Sequence, residues 1–167
     1  MKEILQDWGK DMIRAAVILL ILFTFCWPMR LTGSSMEPTL GDGEIVLMNR
    51  FSAMVGRYET GDIVMFRYED ENGSQTVVKR IIAAEGDHIR ILENGVEVNG
   101  ELLEEAYAVG RTYGLADLIV PAGTVYVMGD NRETSYDSRN MGVIAESDLK
   151  GKVFFRAYPF SAFGVIS

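Results

Sequence analysis

Apolar positions follow two different rhythms along this chain. Residues 15–27 read AAVILLILFTFCW, with Thr24 the one polar side chain, and Met12 and Ile13 lengthen the run if Arg14 snorkels to an interface. Counted over 12–29, the segment makes about 27 Å of helix, just reaching the length that crosses a bilayer. Past Arg30 the apolar runs shorten, gain branched and aromatic residues, and alternate with Gly, Asp and Asn. Such runs at 44–48, 62–66, 76–83, 88–92, 96–98, 124–127 and 152–156 predict strands. Asn94-Gly95 is a hairpin turn signal between two of them. Residues 101–120 (ELLEEAYAVGRTYGLADLIV) keep neither period and are expected to form a loop-rich excursion. The pattern predicts a mainly β chain: a single N-terminal transmembrane helix, then one β-rich unit with a smaller lobe inserted near 85–123. Residues 1–29 would be a short cytoplasmic segment and anchor, and 30–167 the folded domain.

A cleaved secretory leader also has a short apolar core behind a basic start. Here Trp27-Pro28-Met29-Arg30 follow the core without a small-x-small cleavage pattern, which favours a permanent anchor. Lys2, Lys10 and Arg14 favour an N-terminus on the cytoplasmic side, and Trp27 suits the outer interface. The domain is then expected outside the cytoplasm, close to the cell membrane. At 167 residues and 48% hydrophobic, the chain has room for one anchor and one compact domain. The net charge is −8, of which the first thirty residues contribute +1. So acidic a domain lacks the positive footprint that nucleic acid requires, and no nucleic-acid partner is expected. Cys26 is the single cysteine, so no intramolecular disulfide can form. The single histidine, His88, has no companion at zinc-ligand spacing, and neither a metal nor a cofactor is expected.

Three segments carry candidate chemistry. Ser35, in Gly33-Ser34-Ser35-Met36-Glu37-Pro38-Thr39-Leu40, sits just beyond the apolar run, where a nucleophile would be held against a membrane surface. Its base is not evidently His88, whose context Gly86-Asp87-His88-Ile89 is unremarkable. In Thr76-Val77-Val78-Lys79-Arg80-Ile81-Ile82 an apolar strand is interrupted by two cations, and period-two alternation puts Lys79 and Arg80 on opposite faces. One of the two is expected to point into apolar surroundings. A desolvated lysine loses proton affinity and can act as a base near neutral pH, whereas arginine stays charged. Most strand lysines are nevertheless solvated edge residues. The third segment, Gly129 through Arg139 (GDNRETSYDSR), packs acids, arginines and hydroxyls directly after an apolar strand. It reads either as a solvated turn or as an ionic scaffold in which Asp130, Arg132, Asp137 and Arg139 fix a loop. Ser135 would offer a hydroxyl to orient a neutral amine.

Taken in order, these segments resemble the bacterial type I signal peptidases of the Gram-positive type, membrane-anchored serine endopeptidases with a serine/lysine dyad. The resemblance runs through the anchor, Ser35-Met36-Glu37-Pro38-Thr39-Leu40, Gly61-Asp62-Ile63-Val64, Lys79-Arg80-Ile81, Gly86-Asp87, the Gly129 to Arg139 run, and Gly151-Lys152-Val153 with Arg156 and Pro159. It implies Ser35 as nucleophile, Lys79 as general base and Ser135 as a hydrogen-bond partner of the lysine amine. Gly129, Asp130, Arg132, Asp137 and Arg139 would form the supporting loop, and Leu31 and Val78 would line the substrate strand. It also implies a mostly β catalytic core with a smaller β subdomain, and signal-peptide-bearing preproteins and the lipid bilayer as partners. Some members place a serine oxyanion donor two residues before the nucleophile. Gly33 stands there in this chain, leaving the Ser35 backbone N–H as the expected donor and the second one open. Two competitors share the dyad or the scaffold: self-cleaving repressors, against which the anchor and the absence of a DNA-binding region argue, and a catalytically silent membrane-bound binding module.

Overall fold

The computed structural model describes residues 2–70, 73–93 and 95–166. The apolar run lies in α1 (Lys2–Phe25), but the helix stops at Phe25. The next residues form β1 (Cys26–Arg30), paired antiparallel with β2 (Ile45–Asn49) so that Cys26 faces Asn49 and Arg30 faces Ile45. Pro28 is accommodated because β1 is an edge strand, where a missing N–H costs no ladder bond. The expected helix over 12–29 is thereby corrected: strand pairing claims its last four residues. What remains from Met12 to Phe25 is about 21 Å of helix. Among the described residues, no helix is long and apolar enough to cross a membrane.

A single helical turn, α2 (Phe51–Val55), follows β2 and ends at Gly56, whose φ of +61° favours glycine. Next come β3 (Ile63–Asp70) and β4 (Gly73–Ala83), a long antiparallel pair with Val64 opposite Lys79 and Ile63 opposite Arg80. The chain then leaves the main sheet for β5 (His88–Leu92), β6 (Gly95–Val98), β7 (Glu101–Leu102) and β8 (Asp117–Ile119), which pair in the order β7-β6-β5-β8. This second sheet falls within residues 85–123. Its β5–β6 hairpin has Leu92 opposite Gly95; Asn94, the other half of the expected turn signal, lies outside the described residues. Between β7 and β8 the chain is largely irregular, as the lack of periodicity suggested.

The chain returns as β9 (Thr124–Met128), the short helix α3 (Ser138–Met141), β10 (Ile144–Ala145), β11 (Leu149–Tyr158) and β12 (Gly164–Val165). The main sheet runs β1-β2-β11-β3-β4-β9-β10, with β12 added on β11. The architecture is mainly β, as expected.

β4 ends in a continuous buried run and β9 is buried from Val125 to Met128, so the centre of the sheet buries both faces. Val64, Phe66, Ile81, Val125, Val127, Ile144 and Leu149 pack into one cluster. Ile82, Ala83, Tyr126 and Met128 meet Ile89, Val96 and Val120, joining the second sheet to the first. A third cluster, of Leu31, Met36, Leu40, Val46, Ile63 and Val153, lies beneath the Ser35 loop. Strand β4 contributes to all of them, since Val77 and Ile81 belong to the first, Ile82 to the second and Val78 to the third. A side chain on β4 is therefore held by the whole core.

Candidate active site

The loop between β1 and β2 carries Ser35, and it is tied down along its length. Leu31 N–H donates to the Glu44 carbonyl (2.8 Å) and Gly43 N–H to that of Leu31 (3.0 Å), closing its base. Gly33 N–H donates to Asp42 Oδ1 (2.8 Å), with Gly33 at a φ of +93° that strains any side-chain-bearing residue. Beyond the serine, Leu40 N–H donates to the Met36 carbonyl (2.8 Å), and Met36 and Leu40 are buried as apolar pegs. Arg156 donates to the Thr39 carbonyl. From the far side, Asn131 N–H donates to the Ser35 carbonyl (3.1 Å). Gly129 is required at that approach, since a Cβ there would stand 2.4 Å from the Ser35 carbonyl oxygen and 2.3 Å from Ser135 Oγ.

Lys79 Nζ is 2.6 Å from Ser35 Oγ, within hydrogen-bond distance. The lysine is only 3% exposed. Burial pushes its amine down from the ordinary 10.5 to about 8, although the Asp137 carboxylate pulls the other way. About a tenth is thus neutral at pH 7, with a lone pair able to accept the Ser35 proton. Among the described residues, the Ser35 N–H makes no backbone hydrogen bond.

Arg80 is buried as well, which corrects the expectation that only one of the two cations would be. The alternation of β4 sends it to the opposite face, where each of its groups is matched. Nε and Nη2 donate to the two carboxylate oxygens of Asp130 (3.0 and 2.8 Å), and Nη1 donates to the Gly61 carbonyl (2.9 Å). The guanidinium also stacks 4.1 Å from the Tyr107 ring centre. Thr39 Oγ1 donates to Asp130 Oδ2 (2.5 Å), so this pair grips the serine loop too.

The 129–139 scaffold differs in its pairing from the expected one. Arg139 does clasp Asp137, with Nε to Oδ1 at 2.8 Å and Nη2 to Oδ2 at 2.9 Å. Asp137 also accepts from Gly129 N–H (2.9 Å) and caps α3 through Arg139 N–H (3.2 Å). Burial works to raise the Asp137 pKa, but Arg139 and the Gly129 N–H outweigh it and hold the carboxyl below its usual range. Asp130, however, pairs with Arg80. Arg132 turns to Glu105, donates to Thr112 Oγ1 (2.9 Å) and reaches the Gly129 carbonyl (3.1 Å). Ser135 Oγ is buried and completes no well-formed hydrogen bond, so its expected bond to the Lys79 amine is not made here; the hydroxyl lies on the Asp137 side instead, where it helps hold that carboxyl down.

Sequence reasoning missed Arg80, Glu105 and Thr39 as supports. For Arg80 the signal was present, because a second cation in an apolar strand demands a buried acid. Glu105 lay in an aperiodic stretch and gave none.

Beside Ser35 runs a cleft of about 430 Å³, lined among others by Leu31, Met36, Leu40, Val78 and Lys79. Leu31 and Val78 thus border the same space as the dyad. A family model described as signal peptidase, peptidase S26 matches residues 5–158. The chain belongs to the S26 signal peptidases. It is 36% identical to signal peptidase IB of Staphylococcus aureus, over 98% of this chain and 94% of that one. To a probable signal peptidase I-2 of Synechocystis it is 34% identical, covering 96% of this chain and 77% of the relative. A crystal structure of a signal peptidase I from Enterococcus faecalis superposes with a TM-score of 0.50 at 26% identity, covering 57% of this chain and 96% of that one. As an S26 signal peptidase the chain is a serine endopeptidase, a hydrolase, and the general mechanism of the family is a serine/lysine dyad.

Proposed function

We propose that the substrates are exported preproteins, cut behind their N-terminal signal peptides, with Ser35 as nucleophile and Lys79 as general base. The observation that carries this reading is the 2.6 Å contact between the Ser35 hydroxyl and an amine that burial has brought to about 8. Neutral Lys79 removes the hydroxyl proton as Oγ adds to the scissile carbonyl carbon, and the Ser35 N–H faces the developing oxyanion. The resulting ammonium returns that proton to the departing amine, leaving an ester on Ser35. Lys79, neutral again, then deprotonates a water that attacks the ester, and the proton passes back to Oγ as the acid product leaves. Asp130, Arg132, Asp137, Arg139 and Gly129 keep the two loops in register, Ser135 lies beside them, and Leu31 and Val78 flank the bound substrate strand.

The substrate also bears an apolar segment, and placing enzyme and substrate in one bilayer raises their effective concentration. Residues 1–29 accordingly serve as the membrane-associated part, inserting as a single pass with a cytoplasmic N-terminus. Residues 30–167 form the extracytoplasmic catalytic domain with its lobe at 85–123. The apolar run of α1 and the cations Lys2, Lys10 and Arg14 support this placement.

The deciding experiment follows cleavage of a preprotein in lipid vesicles by the full chain and by Ser35→Ala and Lys79→Ala. Each variant should lose at least about 10³-fold in rate, as expected for losing a nucleophile or a general base, while keeping its β circular-dichroism spectrum. Normal cleavage by folded Lys79→Ala would refute the dyad.

A further inference from the structure

Helix α2 is inside out. Its single polar residue, Ser52, is buried, while Phe51, Met54 and Val55 point to solvent, Met54 being 75% exposed. Positions i, i+3 and i+4 of a helix share one face, so these three make a continuous apolar patch. A helix held only by the sheet would show the reverse arrangement.

The patch adjoins the end of α1. Arg50 N–H donates to the Phe25 carbonyl (3.0 Å), and the Phe25 and Phe51 rings meet edge-on at 5.8 Å. The Arg50 guanidinium lies 5.7 Å from the half-exposed Trp27 ring centre. Arg50 and Arg57 are exposed on either side of the apolar turn, giving a cationic border on a chain of net charge −8. Meanwhile the apolar helix from Met12 to Phe25 covers only about 21 Å, against a hydrocarbon core of about 30 Å.

We propose that α2, together with Trp27, is an interfacial foot that seats in the headgroup zone of an anionic bilayer beside the exit of α1. Phe51, Met54 and Val55 enter the acyl boundary, Trp27 takes the aromatic-belt position, and Arg50 and Arg57 meet lipid phosphates. The foot makes up for the shortness of the apolar helix by pulling the domain down instead of lengthening the span. Because β1 starts at this contact and leads to the Ser35 loop, the foot sets the height of the cleft above the membrane. The proposal rests on the membrane placement of α1 described above.

The test uses the full chain in vesicles containing phosphatidylglycerol, in a Cys26→Ser background. A fluorophore is attached at Met54→Cys or, as a distant control, at Leu115→Cys, a site 94% exposed. The expected result is quenching at position 54 by lipids brominated near the headgroup and quenching at 115 only by an aqueous agent. Met54→Glu should slow preprotein cleavage in vesicles by about tenfold, the worth of one buried apolar side chain, and leave hydrolysis of a short soluble peptide in detergent unchanged. If the chain resists a carbonate wash yet position 54 stays open to the aqueous quencher, the foot is refuted and the anchor stands. If the wash strips the chain from the vesicles, both fall. Shielding of position 54 without any lipid would assign the patch to a protein contact and overturn the proposal.

Discussion

On β4, Lys79 and Arg80 are adjacent, both cationic by type and both buried, yet the two faces of the strand treat them in opposite ways. Arg80 meets a bidentate carboxylate, a carbonyl and an aromatic face. Lys79 meets a neutral hydroxyl, and among the described residues no acid pairs with it at contact distance. A buried charge with matched partners stays charged and makes rigid structure; one without them moves its pKa. The fold thus spends the same burial on two ends, a fixed clamp on one face and a titrating base on the other. Arginine suits the clamp because it does not deprotonate, and lysine suits the base because it can.

The largest disturbance of this contrast comes from stripping the clamp. Asp130→Ala leaves a buried guanidinium without its acid and frees Thr39 of the serine loop. Removing one partner of a buried pair costs about 3–5 kcal/mol. Urea unfolding should show a loss of that order, with any residual fold inactive because the Ser35 loop has lost its tie to β4. A loss below about 1 kcal/mol would mean that the Arg80–Asp130 pair does not hold the core.

The opposite sign is expected on the other face. Lys79 binds its proton less tightly in the folded chain than in the unfolded one. At pH 7 the fall from 10.5 to about 8 costs about 3 kcal/mol, at about 1.4 kcal/mol per pH unit. That cost is present in full below pH 8, shrinks as pH rises toward 10.5, and vanishes above it. Lys79→Met, similar in size and apolar, should therefore abolish cleavage and stabilise the fold at pH 7 by an amount approaching that figure. The gain should fade as pH rises above about 8. A variant less stable than the parent at pH 7 would show that Lys79 is not held as a desolvated amine.

Much of this contrast was legible in the strand itself, because period-two alternation separates Lys79 from Arg80 whatever the fold. Strands of five or more residues, such as β2, β5 and β11, also carried enough branched residues to announce themselves. The sequence was silent where geometry comes from afar. Residues 26–29 continue an apolar run, and only the distant β2 turns them from helix into an edge strand. Two-residue strands such as β7, β10 and β12 are too short to have a period. The acids and arginines of 129–139 suggested pairs among themselves, but Asp130 and Arg132 find better partners in Arg80 and Glu105, 50 and 27 residues away. Charge complementarity in one segment does not reveal which of several opposite charges the fold will bring closest.

The smallest predicted effect is also the most direct reading of the titrating face. If Lys79 must be neutral to accept the Ser35 proton, kcat/KM should rise about tenfold per pH unit at low pH and bend to a plateau near pH 8, where the amine is half deprotonated. Near pH 7 the enzyme should then run about tenfold below its plateau, equivalent to about 1.4 kcal/mol of barrier. Cleavage of a short uncharged peptide in detergent between about pH 6 and 11 separates this proton transfer from effects on the bilayer. A bend near 10.5 would mean an exposed lysine, and a flat profile would remove lysine from the proton transfer altogether.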